Sequence, residues 1–139
     1  MNLDRFVKAQ ESSYEIALNE IKNGRKQSHW MWYIFPQIKG LGHSFTAQYY
    51  SIQNRKEAED YLHHPVLGKR LVEITEELLK IKNDDASYVF GYPDDLKLKS
   101  SMTLFYQVSE NEIFVRVLRK FFDGKMDKKT VEILKRSES

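Results

Sequence analysis

PVLGKRLVEITEELLKI, residues 65–81, is the stretch whose reading decides the fold class. Leu67, Leu71, Ile74, Leu78 and Ile81 recur at steps of four, three, four and three, the spacing of one helix face. Lys69, Glu73, Glu76, Glu77 and Lys80 cover the opposite side. Pro65 suits a first helical position, where no amide is needed, so the pattern predicts a helix over 65–81. A stripe of that length has to bury itself against other apolar faces.

The chain supplies such faces on both sides. Towards the N-terminus, Leu3, Phe6 and Val7 and then Tyr14, Ala17, Leu18 and Ile21 keep helical spacing, broken near 10–13. Ser12 or Ser13 can cap the second piece, and Asn23-Gly24 ends it. Asn54 starts a helix edged by Ala58, Tyr61 and Leu62, which His64-Pro65 closes with His64 as a capping residue. Towards the C-terminus, Asp84 and Asp85 cap a short turn ending at Phe90-Gly91. Pro93 and Asp94 open a helix to about Val108, a further helix covers 112–122, and Asp127 caps the last one. The tail from 136 is expected to fray. No segment alternates with period two, and no internal repeat or linker is visible. The expectation is an all-α single compact domain over 1–139, of seven to eight short helices, neither a coiled coil nor a regular four-helix bundle.

Composition agrees with a globular domain: 41% hydrophobic and 30% charged residues exclude disorder. A chain of 139 residues is long enough to bury roughly two thirds of its unfolded surface. A net charge of +2 is too small to imply a nucleic-acid partner. The absence of cysteine excludes disulfides and thiolate ligands and suits a reducing compartment, so a cytoplasmic location is expected. The N-terminus lacks the apolar core of a signal peptide, and no window reaches 18 apolar residues, so no membrane partner is expected. Nothing points to a cofactor, and the sequence specifies no oligomeric state.

The unusual stretch is HWMWYIFPQIKGLGHS, His29 to Ser44. Pro36 forbids a central strand, so 29–38 reads as a short irregular helix, Gly40-Leu41-Gly42 as a loop, and Ser44 as the cap of a helix to Ile52 with Phe45, Tyr49 and Ile52 on one side. Trp30, Trp32, Tyr33 and Phe35 offer stacking surfaces, and His29, Gln37 and Ser44 offer hydrogen bonds, as a flat heteroaromatic ligand requires. The alternative is that these aromatics are core. Two tryptophans two residues apart cannot share one helix face, so at least one is expected at a surface or cleft. KGLGHS lacks the lysine and hydroxyl of a phosphate loop and reads as a turn, although amides at the start of the Ser44 helix could meet an anion.

The second polar cluster is DDLKLKSSMTLF, Asp94 to Phe105. Lys97, Ser100, Ser101 and Leu104 share one sector of a helix, where a lysine beside hydroxyls could grip a phosphate or carboxylate. The alternative is a surface helix with Asp94–Lys97 and Asp95–Lys99 ion pairs. Lys97 precedes Ser100, so a Ser-x-x-Lys nucleophile is not present. His29, His43, His63 and His64 have no metal-ligand spacing, and no metal site is predicted.

HWMWYIFPQIKGLGHS, AQYYSI, YLHHPVLGKRL and FGYPDDLKLKSSMTLF, in this order, resemble the bacterial family called domain of unknown function eighteen-ten, over about Leu3 to Leu134. The family's motif residues fall on His29, Trp30, Trp32, Phe35, Pro36, Gln37, Gly40, Leu41, Gly42 and Ser44. They continue on Tyr50, His64, Pro65, Leu67, Gly68, Arg70 and Leu71, and on Asp95, Lys97, Ser100, Ser101, Thr103 and Phe105. The resemblance implies an all-helical compact fold and assigns no reaction. The calpastatin label sometimes attached to that family implies a disordered inhibitor, which this composition excludes. A fainter likeness, to the NADAR superfamily, implies ADP-ribose chemistry.

The resulting expectation is one cleft lined by His29, Trp30, Trp32, Gln37, Ser44, Lys97, Ser100 and Ser101. It would bind a small anionic or heteroaromatic metabolite such as a nucleotide or ADP-ribose derivative. Trp30 or Trp32 would stack, Gln37 would recognise, and Lys97 would neutralise charge. His29 and Lys97 are the catalytic candidates, His29 being the one neutral-pH acid–base group. Two rivals are an interaction module exposing an apolar patch around Trp30–Phe35, and a structural domain that buries all these groups. A separation of Gln37 and Lys97 beyond about 15 Å, a ligand-sized span, would exclude the shared cleft.

Overall fold

The computed structural model describes residues 3–137 and contains, among them, ten helices and no strand. In chain order these are α1 (Asp4–Glu11), α2 (Tyr14–Lys22), α3 (Met31–Ile34), α4 (Phe45–Tyr49) and α5 (Arg55–His63), then α6 (Leu67–Lys80), α7 (Ala86–Phe90), α8 (Asp94–Ser109), α9 (Glu112–Phe122) and α10 (Lys128–Ser137). Seven of them have eight residues or more. The count exceeds the sequence reading because α3, α4 and α7 are single turns of four or five residues, too short for periodicity to resolve. The all-α, single-domain expectation holds.

The helix that decided the fold class forms over Leu67–Lys80 and buries Leu67, Leu71, Ile74 and Leu78 on the predicted face. It packs on α2, α5 and α9. Its start is two residues later than Pro65, because His64 supplies the cap. The His64 Nδ1 accepts from the amides of Val66 at 3.1 Å and Leu67 at 3.2 Å. A neutral imidazole has one acceptor nitrogen, and here it satisfies donors that a helix start otherwise leaves unpaired. Replacing His64 by Ala is expected to cost about 1 kcal/mol in a urea denaturation, and His64→Asn to restore most of it.

α8 is the central helix, packed against α5, α7, α9 and α10. From Leu98 to Phe105 only Lys99 escapes burial, so this part of the helix has almost no polar face. Its buried hydroxyls are tolerated because they bond back to the helix. Ser100 Oγ donates to the Leu96 carbonyl at 3.2 Å and Thr103 Oγ1 to that of Lys99 at 2.8 Å. Thr103 Oγ1 also accepts the Asp127 amide at 2.9 Å, which ties the start of α10 to the middle of α8. The Ser101 hydroxyl is fully buried without a partner among the described residues.

Five local expectations are corrected. Ser13 stands at the start of α2 but its hydroxyl donates backwards to Ala9 O, at 2.6 Å, instead of capping. The segment 29–38 is helical only over Met31–Ile34, and beyond Pro36 the chain extends until Ile38 makes a parallel bridge to Ile52. The Ser44 helix therefore stops at Tyr49 rather than Ile52, and the Ile52 amide donates to Gln37 O at 2.8 Å. Ile52 is buried while Phe45 and Tyr49 face solvent, so the three do not share a side. At the other end α10 continues through Ser137 where fraying was expected, and residues 138–139 lie outside the described ones. No described helix is long and apolar enough to cross a membrane.

Candidate functional site

Two indoles placed two residues apart take opposite environments. Trp30 is 1% exposed and belongs to the core, with Phe35 and Phe90 rings at 6.2 and 6.4 Å. Its Nε1–H donates to Glu20 Oε1 at 2.9 Å, on α2. Glu20 also accepts from the amides of Gln27 and Ser28 and from Ser28 Oγ. Burial alone would raise its pKa, but these hydrogen bonds outweigh it and hold the carboxyl down at about 2. A lowered folded-state pKa means the stabilisation is complete above the usual glutamate value near 4.5 and is lost as pH falls through about 2. The urea midpoint of the wild type is expected to drop across that window, and the drop is expected to flatten in Glu20→Gln.

Trp32 is only half buried, and it lines a cleft of about 250 Å³ between three parts of the chain. Trp32, Gln37, Leu41 and Gly42 come from α3 and the loop after it. Pro93, Leu96, Lys97 and Ser100 come from the first turns of α8, and Asp127 and Lys129 from the start of α10. A narrow enclosed space continues behind Gln37 towards Tyr50 and Ser51. Gly42 lets the loop close down on α4, since a Cβ there would stand 2.7 Å from that of Ala47.

Lys97 dominates the cleft electrostatically. Its ammonium lies 3.6 Å from the Trp32 ring centroid and 3.2 Å from Asp94 Oδ1. The other oxygen of Asp94 pairs with Lys26 at 3.0 Å, and Lys26 sits 5.1 Å from the Trp30 ring. One carboxylate thus holds two ammonium groups, each against a tryptophan. Lys129 is exposed with no ion-pair partner among the described residues. Asp127 Oδ2 accepts from the Thr130 amide at 3.0 Å and its hydroxyl at 2.6 Å, which caps α10. The positive ends of α8 and α10 both meet the cleft, and Lys97 and Lys129 against Asp127 leave its lining one positive charge.

The structure brings together four of the eight residues expected there: Trp32, Gln37, Lys97 and Ser100. The Gln37 carboxamide has no hydrogen-bond partner among the described residues. Trp30 is withdrawn as a stacking surface because it is core. Ser44 is used up at the start of α4, accepting from the Ala47 amide at 3.1 Å. Ser101 faces away into the interior, and exposed His29 does not line the cleft, so its acid–base role has no place there. The Asp94–Lys97 pair forms as expected, whereas no Asp95–Lys99 pair is present among the described residues. The patch around Trp30–Phe35 is mostly buried, and the exposed aromatics are Phe45, Tyr49, Tyr88 and Tyr92. Among the described residues no three His, Cys, Asp or Glu side chains gather as a metal ion would require. Asp127 and Lys129 were invisible as site residues because only the packing of α10 on α8 carries them there.

The family described as Protein of unknown function (DUF1810) matches over residues 1–134. A crystal structure of the conserved hypothetical protein Rv1873 from Mycobacterium tuberculosis is 45% identical, superposes with a TM-score of 0.94 and aligns over 96% of each chain. Neither match carries the fainter ADP-ribose-related likeness. Comparison with curated proteins gives no match.

Proposed function

The chain belongs to this family of unknown function, and from that premise we propose that its cleft binds a small anionic metabolite carrying one flat ring, of mononucleotide size. The observation that carries this reading is the meeting of Trp32, Gln37, Lys97 and Ser100 around one opening, with the Lys97 ammonium 3.6 Å from the Trp32 ring. The ring would stack on Trp32, the free carboxamide of Gln37 would read its edge, and Lys97 with Lys129 would neutralise the anion. A volume of about 250 Å³ lies below the ~300–1,000 Å³ of drug-sized pockets. It favours one ring and one anionic group over a whole ADP-ribose, part of which would project into solvent. The lack of cysteine in all 139 residues fits a cytosolic protein.

The reading predicts a thermal-shift response to AMP and GMP, because a ligand that binds only the native state raises Tm by mass action. At a hundredfold excess over Kd the native state gains about 2.7 kcal/mol, a rise of several degrees for a domain of this size. Lys97→Ala is expected to abolish the response while keeping the ligand-free Tm within about 2 °C, since Asp94 keeps Lys26 as its counter-ion when Lys97 is removed. An unshifted wild type across mononucleotides and sugar phosphates would contradict the reading. A second reading rests on Phe45, 83% exposed and stacked on Tyr49 at 6.0 Å, which offers an aromatic surface to another protein.

A further inference from the structure

Lys97 is both a cation of the cleft and the cover of its stacking ring. Its Nζ rests 3.6 Å from the Trp32 centroid, so a ring cannot use that face until the ammonium moves. Asp94, three residues earlier on α8 at 3.2 Å, holds it there together with the ring's own attraction for a cation. Lys26 is the more buried of the two lysines, with 8% of its side chain exposed against 19% for Lys97. Lys26 also donates to the Ser28 carbonyl, which fixes it to the loop before α3. The Asp94 carboxylate therefore has one fixed counter-ion and one that faces the opening.

Resting on the cleft reading above, we infer that Asp94 is an internal competitor that parks the Lys97 ammonium on Trp32 until a ligand's anionic group takes the carboxylate's place. The exchange costs little because Asp94 is not orphaned when Lys97 leaves: Lys26 still neutralises it at 3.0 Å. An ion pair between side chains i and i+3 on a helix is weak, so an incoming phosphate competes on favourable terms. Movement of Lys97 then bares the Trp32 face. Charge recognition and ring stacking are thereby coupled, and the site prefers a ligand that has both groups on one molecule. The substrate class is a phosphorylated aromatic ring system. A neutral nucleoside finds the ring covered, and inorganic phosphate opens the ring without using it.

The test measures Kd by calorimetric titration with AMP, adenosine and inorganic phosphate, on wild type, Asp94→Asn, Asp95→Asn and Lys26→Met. AMP is expected to bind at least tenfold tighter than either fragment. Asp94→Asn is expected to tighten AMP about tenfold, a gain that structural damage cannot produce. Asp95→Asn removes a charge from the same helix turn without touching Lys97, and is expected to leave Kd unchanged. Lys26→Met leaves Asp94 wholly to Lys97 and is expected to weaken AMP several-fold, which tests the sign independently should Asp94→Asn fold poorly. Unchanged or weaker binding by a folded Asp94→Asn would overturn the inference, as would equal tightening by both asparagine variants. If AMP binds neither the wild type nor Asp94→Asn, the cleft reading itself fails and the inference falls with it. If AMP binds the wild type and Asp94→Asn makes no difference, the cleft reading stands alone.

Discussion

Gly68→Ala is expected to lose about 3 kcal/mol or more of folding stability, the largest effect of any glycine-to-alanine change in this chain. Gly68 lies in the first turn of α6, where the helix turns back against the end of α5. A Cβ built on it would stand 1.9 Å from the Leu62 carbonyl oxygen, 2.8 Å from its carbon and 3.3 Å from its Cα. All three are backbone atoms, so no side chain can rotate aside. The two helices would have to separate, and Leu67 and Tyr61, both fully buried, would lose their packing. For a domain of this size the expected fall in Tm is about 10 °C. A Gly68→Ala protein within 1 °C of wild type would contradict this packing of α5 on α6.

Trp30→Ala is expected to cost about 3–5 kcal/mol, whereas Trp32→Ala is expected to cost about 1 kcal/mol or less. The residues are chemically identical and two positions apart, so the contrast tests their environments alone. Truncating Trp30 empties a site between Phe35 and Phe90 and removes one of the donors to Glu20. Truncating Trp32 removes a half-buried ring whose contacts are the Lys97 ammonium and the cleft. In urea titrations the first variant should unfold at clearly lower denaturant and the second close to wild type. In ligand titrations the order reverses, because Trp32→Ala loses the stacking surface. Equal destabilisation by the two would contradict the division between core and cleft.

The long helices were legible because their apolar residues repeat over three or more turns. α6 and α9 came out almost as read, and Asn54, Asp85 and Asp127 cap where short polar side chains before an apolar run should. Ile52 was assigned to the wrong element because its spacing from Phe45 and Tyr49 mimics a helix face, while its actual partner, Ile38, is fourteen residues away. Pairing at that distance leaves no local period. Of the site, Trp32, Gln37, Lys97 and Ser100 could be picked out as polar or aromatic groups inside otherwise apolar stretches. Which tryptophan faced the cleft was not legible, since it depends on Glu20 reaching the Trp30 indole from another helix. Lys26 and Asp94 likewise look like ordinary surface charges until the loop between α2 and α3 meets the start of α8.

The most direct test follows individual protons in the wild type during a titration with AMP. The two indole Nε1–H signals and the Gln37 side-chain amide are resolvable by two-dimensional nitrogen–proton NMR, with Trp32→Phe and Gln37→Ala assigning them. Saturable shifts of Trp32 and Gln37, with the Glu20-bonded Trp30 indole nearly still, are the expected result. Saturable shifts confined to the neighbourhood of Phe45 and Tyr49, or no saturable shift at Trp32 and Gln37, would contradict a ligand cleft between α3 and α8.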